Sequence, residues 1–391
     1  MYSIGECIVL HITKQSKKIV AKKIAMLFPY TPSYREAIYK LMDKELEVDW
    51  FFCGNAKRNL KLFDYSLLNH CNLSMKECKI WGPIIYYKGI RNLNLQQYDV
   101  IICAGVIRCI SEWWLLQKLG RGMKKPKIYL WTHGWYGKET YLQKLIKKFF
   151  FRKVDGFFLY GEYARNEMLN EGFEVSKLHV IKNSLDYDKQ LELRNSITGS
   201  DVYRKHFKND FPSIIFIGRL TVVKKLNLLI KAVSLLKQKG ECYNIVFVGD
   251  GEMRQNLEEM VAKEDLTYNV WFYGACFDEN VNAQLVYNAD LCVAPGNIGL
   301  TAMHVMMFGC PAVSHNNFKW QMPEFESIKP GETGDFFEYD NVEDLARCIS
   351  EWFRSKKDCR EKVREACYKE IDNYWNPHYQ LNLLKRILED K

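Results

Sequence analysis

The feature that most constrains this chain is a regular alternation of apolar runs and amphipathic segments in its second half. Ile214 to Ile217 form a continuous apolar run that ends at Gly218, and Leu226 to Leu236 then follow helical spacing as far as Gly240. Four further strand candidates follow, at 245–248, 270–273, 291–294 and 312–314, with a helical segment between each one and the next. Strands buried on both faces and separated by helices are typical of a parallel, doubly wound sheet.

The first half shows a similar but less regular pattern. Its strand candidates are the apolar runs 24–28, 48–52, 100–103, 128–131 and 156–160. A polar stretch from about Asp186 to Asp210 lacks a long apolar run, so we place the domain boundary there. The sequence predicts an α/β protein with an extension at 1–20, domains at 21–195 and 196–372, and a last helix within 373–391 that packs back on the first domain. We expect two Rossmann-like doubly wound domains that face each other across a cleft, with ligands at the carboxyl ends of the strands.

Charge and cysteine content narrow the class of protein. The net charge of +9 suits phosphate-bearing substrates or an anionic membrane surface, and no nucleic-acid recognition motif accompanies it. No apolar stretch approaches the 18 residues of a spanning helix. The 13 cysteines are scattered without a C-x-x-C pair, which is typical of reduced thiols, and basic residues follow the apolar run Cys7–Leu10, the reverse of a secretory signal. We expect a cytoplasmic protein.

Two motifs in the second half come directly after a predicted strand. The first is Gly218 and Arg219, followed by Lys224. The planar guanidinium of the arginine and the point charge of the lysine could both bind a pyrophosphate; alternatively, the two cations only mark the solvated start of a helix. Gly249 and Asp250 form a glycine turn that would let a ligand approach the backbone, or would only connect two elements.

A third motif runs from a strand into a helix. Its backbone N–H groups could receive a phosphate at the helix start; its residues are Gly296, Asn297, Ile298, Gly299, Leu300 and Thr301. His304 lies further along this helix among apolar neighbours, so it is either a ligand contact or a satisfied core histidine. In the first half, His133 follows a predicted strand and is a candidate cleft residue, with a surface loop as the alternative.

Two basic segments contain aromatic residues. Tyr141 to Lys153 holds five bases, no acid and three adjacent phenylalanines, and Gln117 to Lys127 adds five bases. An amphipathic helix that docks on anionic lipid has this composition, and so does a core helix with a solvated basic face. The sequence leaves both open.

The ordered set of motifs from about Tyr160 to the carboxyl terminus resembles the retaining glycosyltransferases of family 4, the group 1 transferases of the GT-B fold. Val180 to Asp186 resembles the family's V-I-x-N-G-V-D, and Gly218 to Lys224 resembles its G-R-L-x-x-x-K. The glycine turn, Gly309 to Val313 and Glu326 to Gly334 follow in the family's order. The chain departs from the family at Gly296 and His304, where two glutamates are usual.

The resemblance implies roles for these residues. Arg219 and Lys224 would neutralise the leaving diphosphate and His133 would orient the sugar or acceptor. The donor would also contact Gly218, the glycine turn, the 296–301 loop and, through the matched motifs, Asn183 and Glu326. His304 would bond the ribose as a neutral imidazole, and His304→Glu should be tolerated better than His304→Ala.

The resemblance therefore implies a retaining, metal-independent transferase that uses no cofactor. It would move a sugar from a nucleotide diphosphate in the second domain to a saccharide hydroxyl in the first. The acceptor would be lipid-linked, in capsule, lipopolysaccharide or related polysaccharide synthesis, with the enzyme peripheral on the inner membrane face. A non-catalytic GT-B subunit that binds a nucleotide sugar is the alternative, and a nucleic-acid-binding protein is a more distant one.

Overall fold

In the computed structural model, which describes residues 22–55, 61–119 and 125–389, the strands form two sheets, one in each half of the chain. The predicted α/β class with two parallel sheets is confirmed. The central strands of both sheets are buried along their whole length, because helices cover both faces.

The N-terminal sheet has the strand order β4-β3-β2-β1-β5-β6-β7-β8, and only its β3–β4 pair is antiparallel. Its strands are β1 (Ile24–Leu27), β2 (Val48–Cys53), β3 (Cys71–Trp81), β4 (Ile84–Lys88), β5 (Val100–Cys103), β6 (Lys127–Thr132), β7 (Gly156–Leu159) and β8 (Leu178–Val180). The helices of this half are α1 (Glu36–Glu45), α2 (Ile110–Leu119), α3 (Tyr141–Phe151) and α4 (Glu162–Asn170).

The C-terminal sheet is parallel throughout, in the order β11-β10-β9-β12-β13-β14. Its strands are β9 (Ser213–Ile217), β10 (Asn244–Val248), β11 (Val270–Gly274), β12 (Leu291–Ala294), β13 (Ala312–His315) and β14 (Gly334–Phe337). The helices are α5 (Tyr187–Ser196), α6 (Val202–Phe207), α7 (Leu226–Gln238), α8 (Arg254–Lys263), α9 (Glu279–Asn288), α10 (Leu300–Met307), α11 (Val342–Lys356), α12 (Arg360–Tyr374) and α13 (Pro377–Glu389).

The chain crosses between the domains twice. The stretch read as a polar linker contains α5 and α6, and Tyr187 and Leu191 of α5 pack on the C-terminal core. The structure therefore brings the chain into the C-terminal domain before residue 195, where the boundary was expected. At the other end, α13 lies against α1, and Leu381 and Leu384 are buried in the N-terminal core.

No helix within the described part of the chain is both long and apolar enough to cross a membrane.

Candidate functional site

The two domains meet where the loop after β6 and the start of α4 contact the segment after β13, residues 318–326. Tyr163, at the start of α4, packs its ring near Phe318 and Phe325 of the C-terminal domain, and Lys138 lies 4.5 Å from the ring centre of Trp320. The carboxyl ends of both sheets therefore border one cleft, which is where doubly wound sheets bind ligands.

Two cations lie together on the C-terminal side of this cleft. The Nζ of Lys224 donates to the backbone oxygen of Asn297 at 2.6 Å and to its side-chain oxygen at 2.9 Å. The Arg219 side chain is exposed, and it forms no ion pair or hydrogen bond within the described residues. Burial and then the charge of Arg219 lower the pKa of Lys224 to about 8. In the part of the chain that the structure describes, neither cation has a carboxylate partner, so this part of the cleft is electropositive.

The glycine turns after β9 and β10 bring the ends of these strands together. A Cβ on Gly249 would lie 1.9 Å from the carbonyl oxygen of Gly218, and one on Gly251 would lie 2.4 Å from that of Leu220. The Gly249 N–H donates to Gly274 at 2.8 Å, and Asp250 accepts the Gly251 N–H at 2.7 Å. Close backbone packing accounts for Gly249 and Asp250 without a ligand, so their place in the donor site stays a prediction.

The loop before α10 uses part of its backbone internally. The Gly296 N–H donates to the Lys224 carbonyl oxygen at 2.9 Å, and the Ile298 N–H donates to the side chain of Gln321 at 3.0 Å. A Cβ on Gly296 would lie 2.0 Å from the carbonyl oxygen of Val223. This position therefore has no room for a glutamate unless the β9–α7 loop moves.

The backbone N–H groups at the start of α10 are available to a ligand. The structure records no hydrogen bond, within the range it describes, for the backbone N–H groups of Gly299, Leu300 and Thr301. The Thr301 hydroxyl donates to the Ile217 carbonyl oxygen at 3.1 Å, which ties this helix start to the end of β9. Amides at a helix start beside two cations form a place suited to an anion.

Asn183 and Glu326 lie in the interdomain contact. Glu326 accepts the backbone N–H groups of Glu162 and Tyr163 at 2.9 and 2.7 Å, and its carboxylate lies 2.8 Å from the Nζ of Lys182. It therefore caps α4 of the opposite domain with favourable charge. The contacts of Asn183 and Glu326 seen here join the two domains. The expected contact of these two residues with the donor therefore stays a prediction.

A buried carboxylate in the same contact was not predicted. Glu324 is 2% exposed, and it accepts the Asn183 side-chain amide at 2.6 Å, while its Oε2 is buried without a partner. Burial raises the pKa of Glu324, although Asn183, Arg35 and Lys224 oppose the shift.

His133 lies on the N-terminal side, directly after β6. Its ring centre is 4.8 Å from that of Tyr160, and its Nδ1 is buried with no hydrogen-bond partner. Burial, followed by the charges of Arg35 and Lys147, lowers the pKa of His133 to about 4. The imidazole is therefore neutral near pH 7 and has an unused nitrogen.

His304 has a partner that the sequence pattern did not indicate. Its Nε2 lies 2.9 Å from Oε1 of Glu279, the first residue of α9, and Gln190 of α5 donates to the same oxygen at 2.8 Å. Burial opposes the charge of Glu279, but the bonds from His304 and Gln190 hold its pKa below the usual range. A carboxylate is thus present beside position 304, supplied by another helix.

The basic and aromatic segment forms α3, and ion pairs neutralise much of its charge. Lys144 and Lys148 both pair with Glu171, at 2.5 and 2.6 Å, and Lys147 pairs with Glu139 at 2.6 Å. The same helix exposes five large apolar side chains: Tyr141, Leu142, Leu145, Ile146 and Phe149. Part of the second basic segment, 120–124, lies outside the described residues.

The residues that the sequence reasoning missed are Arg35, Glu279 and Glu324. Each is held by contacts with elements distant in the sequence, and none follows an apolar run directly as His133 and Gly218 do. At Glu324, the one local feature of the sequence is the preceding proline, which begins the short helical turn Pro323–Ser327. Within the described residues, no group of three or more His, Cys, Asp or Glu side chains could hold a metal ion.

Residues 201–370 match the family described as Glycosyl transferases group 1. The chain has a two-domain GT-B fold, and its C-terminal domain is of the group 1 glycosyltransferase type. The predicted resemblance to group 1 glycosyltransferases is therefore confirmed for the fold and for this domain.

Among proteins similar in sequence is the glycosyltransferase EpsD of Bacillus subtilis, 28% identical over 41% of this chain and 42% of EpsD. The amylovoran biosynthesis glycosyltransferase AmsK of Erwinia amylovora is 25% identical over 41% of this chain and 42% of its own length. The chain thus spans about two fifths of the length of these relatives.

Two solved structures share the whole fold. The lipopolysaccharide outer core galactosyltransferase WaaB in its apo form superposes with a TM-score of 0.66 at 14% identity, over 94% of this chain and 99% of WaaB. HepE of Anabaena in complex with UDP-glucose superposes with a TM-score of 0.62 at 13% identity, over 94% and 100%. The similarity covers both domains and establishes the GT-B architecture.

Proposed function

We propose that this protein is a retaining, metal-independent glycosyltransferase that moves a sugar from a nucleotide diphosphate to a hydroxyl of a saccharide acceptor. The observation that carries the proposal is the pair Arg219 and Lys224, which have no carboxylate partner among the described residues and lie near the unpaired backbone N–H groups at the start of α10. Such a site suits the diphosphate of a donor, and the HepE structure was solved with UDP-glucose.

The reaction breaks the bond between the anomeric carbon and the diphosphate oxygen. The acceptor oxygen bonds the same carbon on the same face, and its proton passes to the departing phosphate oxygen. Charge grows on that phosphate as the bond breaks, so Arg219 and Lys224 stabilise the transition state more than the ground state. His133, neutral near pH 7, offers a hydrogen bond that orients the sugar or the acceptor.

A panel of UDP- and GDP-sugars tests the proposal. One of them should raise the melting temperature of the protein, since a ligand that binds the native state stabilises it. The same donor should release its nucleotide when an acceptor is supplied, with EDTA leaving the rate unchanged and product NMR showing the donor's anomeric configuration. Stabilisation with neither transfer nor donor hydrolysis would favour the non-catalytic alternative.

One observation favours that alternative. Gly296 has no side chain to contact the donor sugar, and its N–H is already bonded to the Lys224 carbonyl oxygen. A protein that holds a nucleotide sugar as a partner subunit would keep the cations and lack this contact. Donor hydrolysis separates the two functions, because a binding subunit would not catalyse it.

We further propose that the acceptor is lipid-linked, that it serves surface polysaccharide synthesis, and that α3 docks on the membrane. The relative AmsK is named for amylovoran biosynthesis. The exposed apolar face of α3 includes Phe149, which is 62% exposed, and Lys153 lies 4.4 Å from the centre of its ring. Three lysines of α3 are paired with acids, so fewer of its charges are available to anionic lipid than the sequence indicated. Insertion of the apolar side chains therefore contributes more to docking than electrostatic attraction does.

A further inference from the structure

The N-terminal domain holds a cavity of about 310 Å³ beside His133. It lies at the carboxyl ends of β1, β5, β6 and β7, and aromatic rings form much of its wall, among them Tyr34, Trp131 and Tyr160. Its volume is at the lower end of the range for small-molecule sites. Aromatic faces of this kind suit the apolar face of a sugar ring.

The cavity also contains cations that lack a counter-ion. The Cζ of Arg35 lies 5.3 Å from the ring centres of both Trp131 and Tyr160, and Nη1 donates to the Tyr39 hydroxyl at 3.2 Å. Arg108 lines the same cavity. Within the described residues, neither arginine has a carboxylate within 4 Å. Arginine does not lose its proton in proteins, so these two charges persist at all working pH values.

The acids near this cavity do not neutralise the two arginines. Glu77 lines the cavity but is not within ion-pair distance of either one. Glu324 is close enough for Arg35 to lower its pKa, yet it is bonded to Asn183. Burial lowers the pKa of His133, and the charges of Arg35 and Lys147 lower it further, which is consistent with cations close to the imidazole.

Three buried polar atoms of the cavity residues have no partner: Oγ1 of Thr31, Nε1 of Trp131 and Nδ1 of His133. Thr31 is fully buried and Trp131 is 3% exposed. A buried polar atom without a hydrogen bond is costly, and folded proteins rarely leave several of them in one place. All three residues line the same cavity, so a polar ligand there would lie beside groups that lack a hydrogen-bond partner within the described residues.

We propose that this cavity binds an acidic saccharide acceptor, whose ring lies on the aromatic wall and whose carboxylate or phosphate pairs with Arg35 and Arg108. A guanidinium can hold either anion through two parallel hydrogen bonds. The inference rests on the proposed function, because it assigns the chemistry of the acceptor that the transferase would use.

Ligand-detected NMR with three probes tests it: methyl β-D-glucuronide, α-D-glucose 1-phosphate and the neutral methyl β-D-glucoside. At least one anionic probe should bind about tenfold more tightly than the neutral one, the size expected for a charge-assisted hydrogen bond. A preference for the glucuronide assigns a carboxylate, and a preference for the phosphate assigns a phosphate. Equal binding of all three probes would overturn the inference.

Arg35→Gln should reduce the preferred anion to the affinity of the neutral probe. The matched control is Arg204→Gln, because Arg204 is an exposed arginine on α6 of the other domain and should leave the preference intact. Binding of UDP and of GDP is measured on every variant. If either nucleotide binds and no anion is preferred, this inference fails alone; if neither nucleotide binds the wild-type protein, the proposed function fails.

Thr31→Val tests the same inference without removing a charge. Valine has the shape of threonine but lacks the unpartnered hydroxyl, so the melting temperature of the empty protein should stay the same or rise. The affinity for the preferred anion should nevertheless fall about three- to tenfold, the worth of one hydrogen bond. A lower melting temperature with unchanged affinity would show that the hydroxyl serves the fold, and would count against the site.

Discussion

Donor binding should depend on whether Lys224 carries its proton. Burial and the neighbouring charge of Arg219 lower the pKa of Lys224 from 10.5 to about 8. This difference corresponds to roughly 3 kcal/mol against the charged form in the empty cleft. A bound diphosphate restores favourable surroundings for the ammonium group and raises its pKa again.

The sign of the pH dependence follows from this difference. Below about pH 8 Lys224 is already protonated, so the dissociation constant for UDP should be flat from pH 7 to 7.5, above the second phosphate pKa near 6. Above pH 8 binding must take up a proton, and the dissociation constant should rise about tenfold per pH unit. Between pH 8 and 10.5, Lys224 keeps its proton in the unfolded chain but loses it in the folded protein. The free energy of unfolding therefore rises with pH in this interval, as far as Lys224 contributes to it. Weaker binding above pH 8 therefore cannot come from unfolding at this group.

Calorimetric titration of UDP from pH 7 to 9, in buffers of different ionisation enthalpy, measures both the affinity and the protons taken up. Lys224→Met should abolish the proton uptake, make the affinity independent of pH and lower turnover about 100-fold. Lys225→Met is the matched control, because Lys225 is the next residue and pairs instead with Asp340 and Tyr339. An unchanged pH profile in Lys224→Met, or a flat wild-type profile to pH 9, would refute the reasoning.

Three further predictions concern other parts of the molecule. His304→Glu should bind UDP more weakly and melt at a lower temperature than His304→Ala, because the new carboxylate would face Glu279; calorimetry and thermal melts compare them. This reverses the order expected from the family pattern, and a more stable Glu variant would contradict it. Glu326→Gln should lower the free energy of unfolding by about 1–3 kcal/mol in urea titrations, because the Lys182 ion pair is lost and the amide oxygen can accept only one of the two α4 N–H groups, without the charge. Phe149→Ser should weaken binding to anionic vesicles about tenfold in co-sedimentation and leave UDP affinity unchanged, and equal binding of both proteins would exclude α3 as the docking surface.

The elements that the sequence predicted share one property. Each of β9 to β12 has a continuous apolar run, because helices cover both faces of the sheet. The β3–β4 hairpin was missed because most of β3 is exposed and polar, with Met75 its single buried residue. In β8 (Leu-His-Val) and β14 (Gly-Asp-Phe-Phe) polar residues or glycine interrupt the apolar ones, so neither gives a recognisable pattern. Helix α5 looked like a linker because it has little separation of apolar and polar sides, although it packs on the C-terminal core.

Local sequence is enough to predict which residues come after the strands, because an apolar run followed by glycine and a cation is a local pattern. Gly218, Arg219, Lys224 and His133 are found there. The tertiary structure alone decided their partners. Lys182 meets Glu326 across 144 residues, and Arg35 reaches the same cavity as His133 from a helix start nearly a hundred residues earlier. Local sequence carries no signal for such contacts, since they form only when the two sheets fold and their carboxyl ends come together.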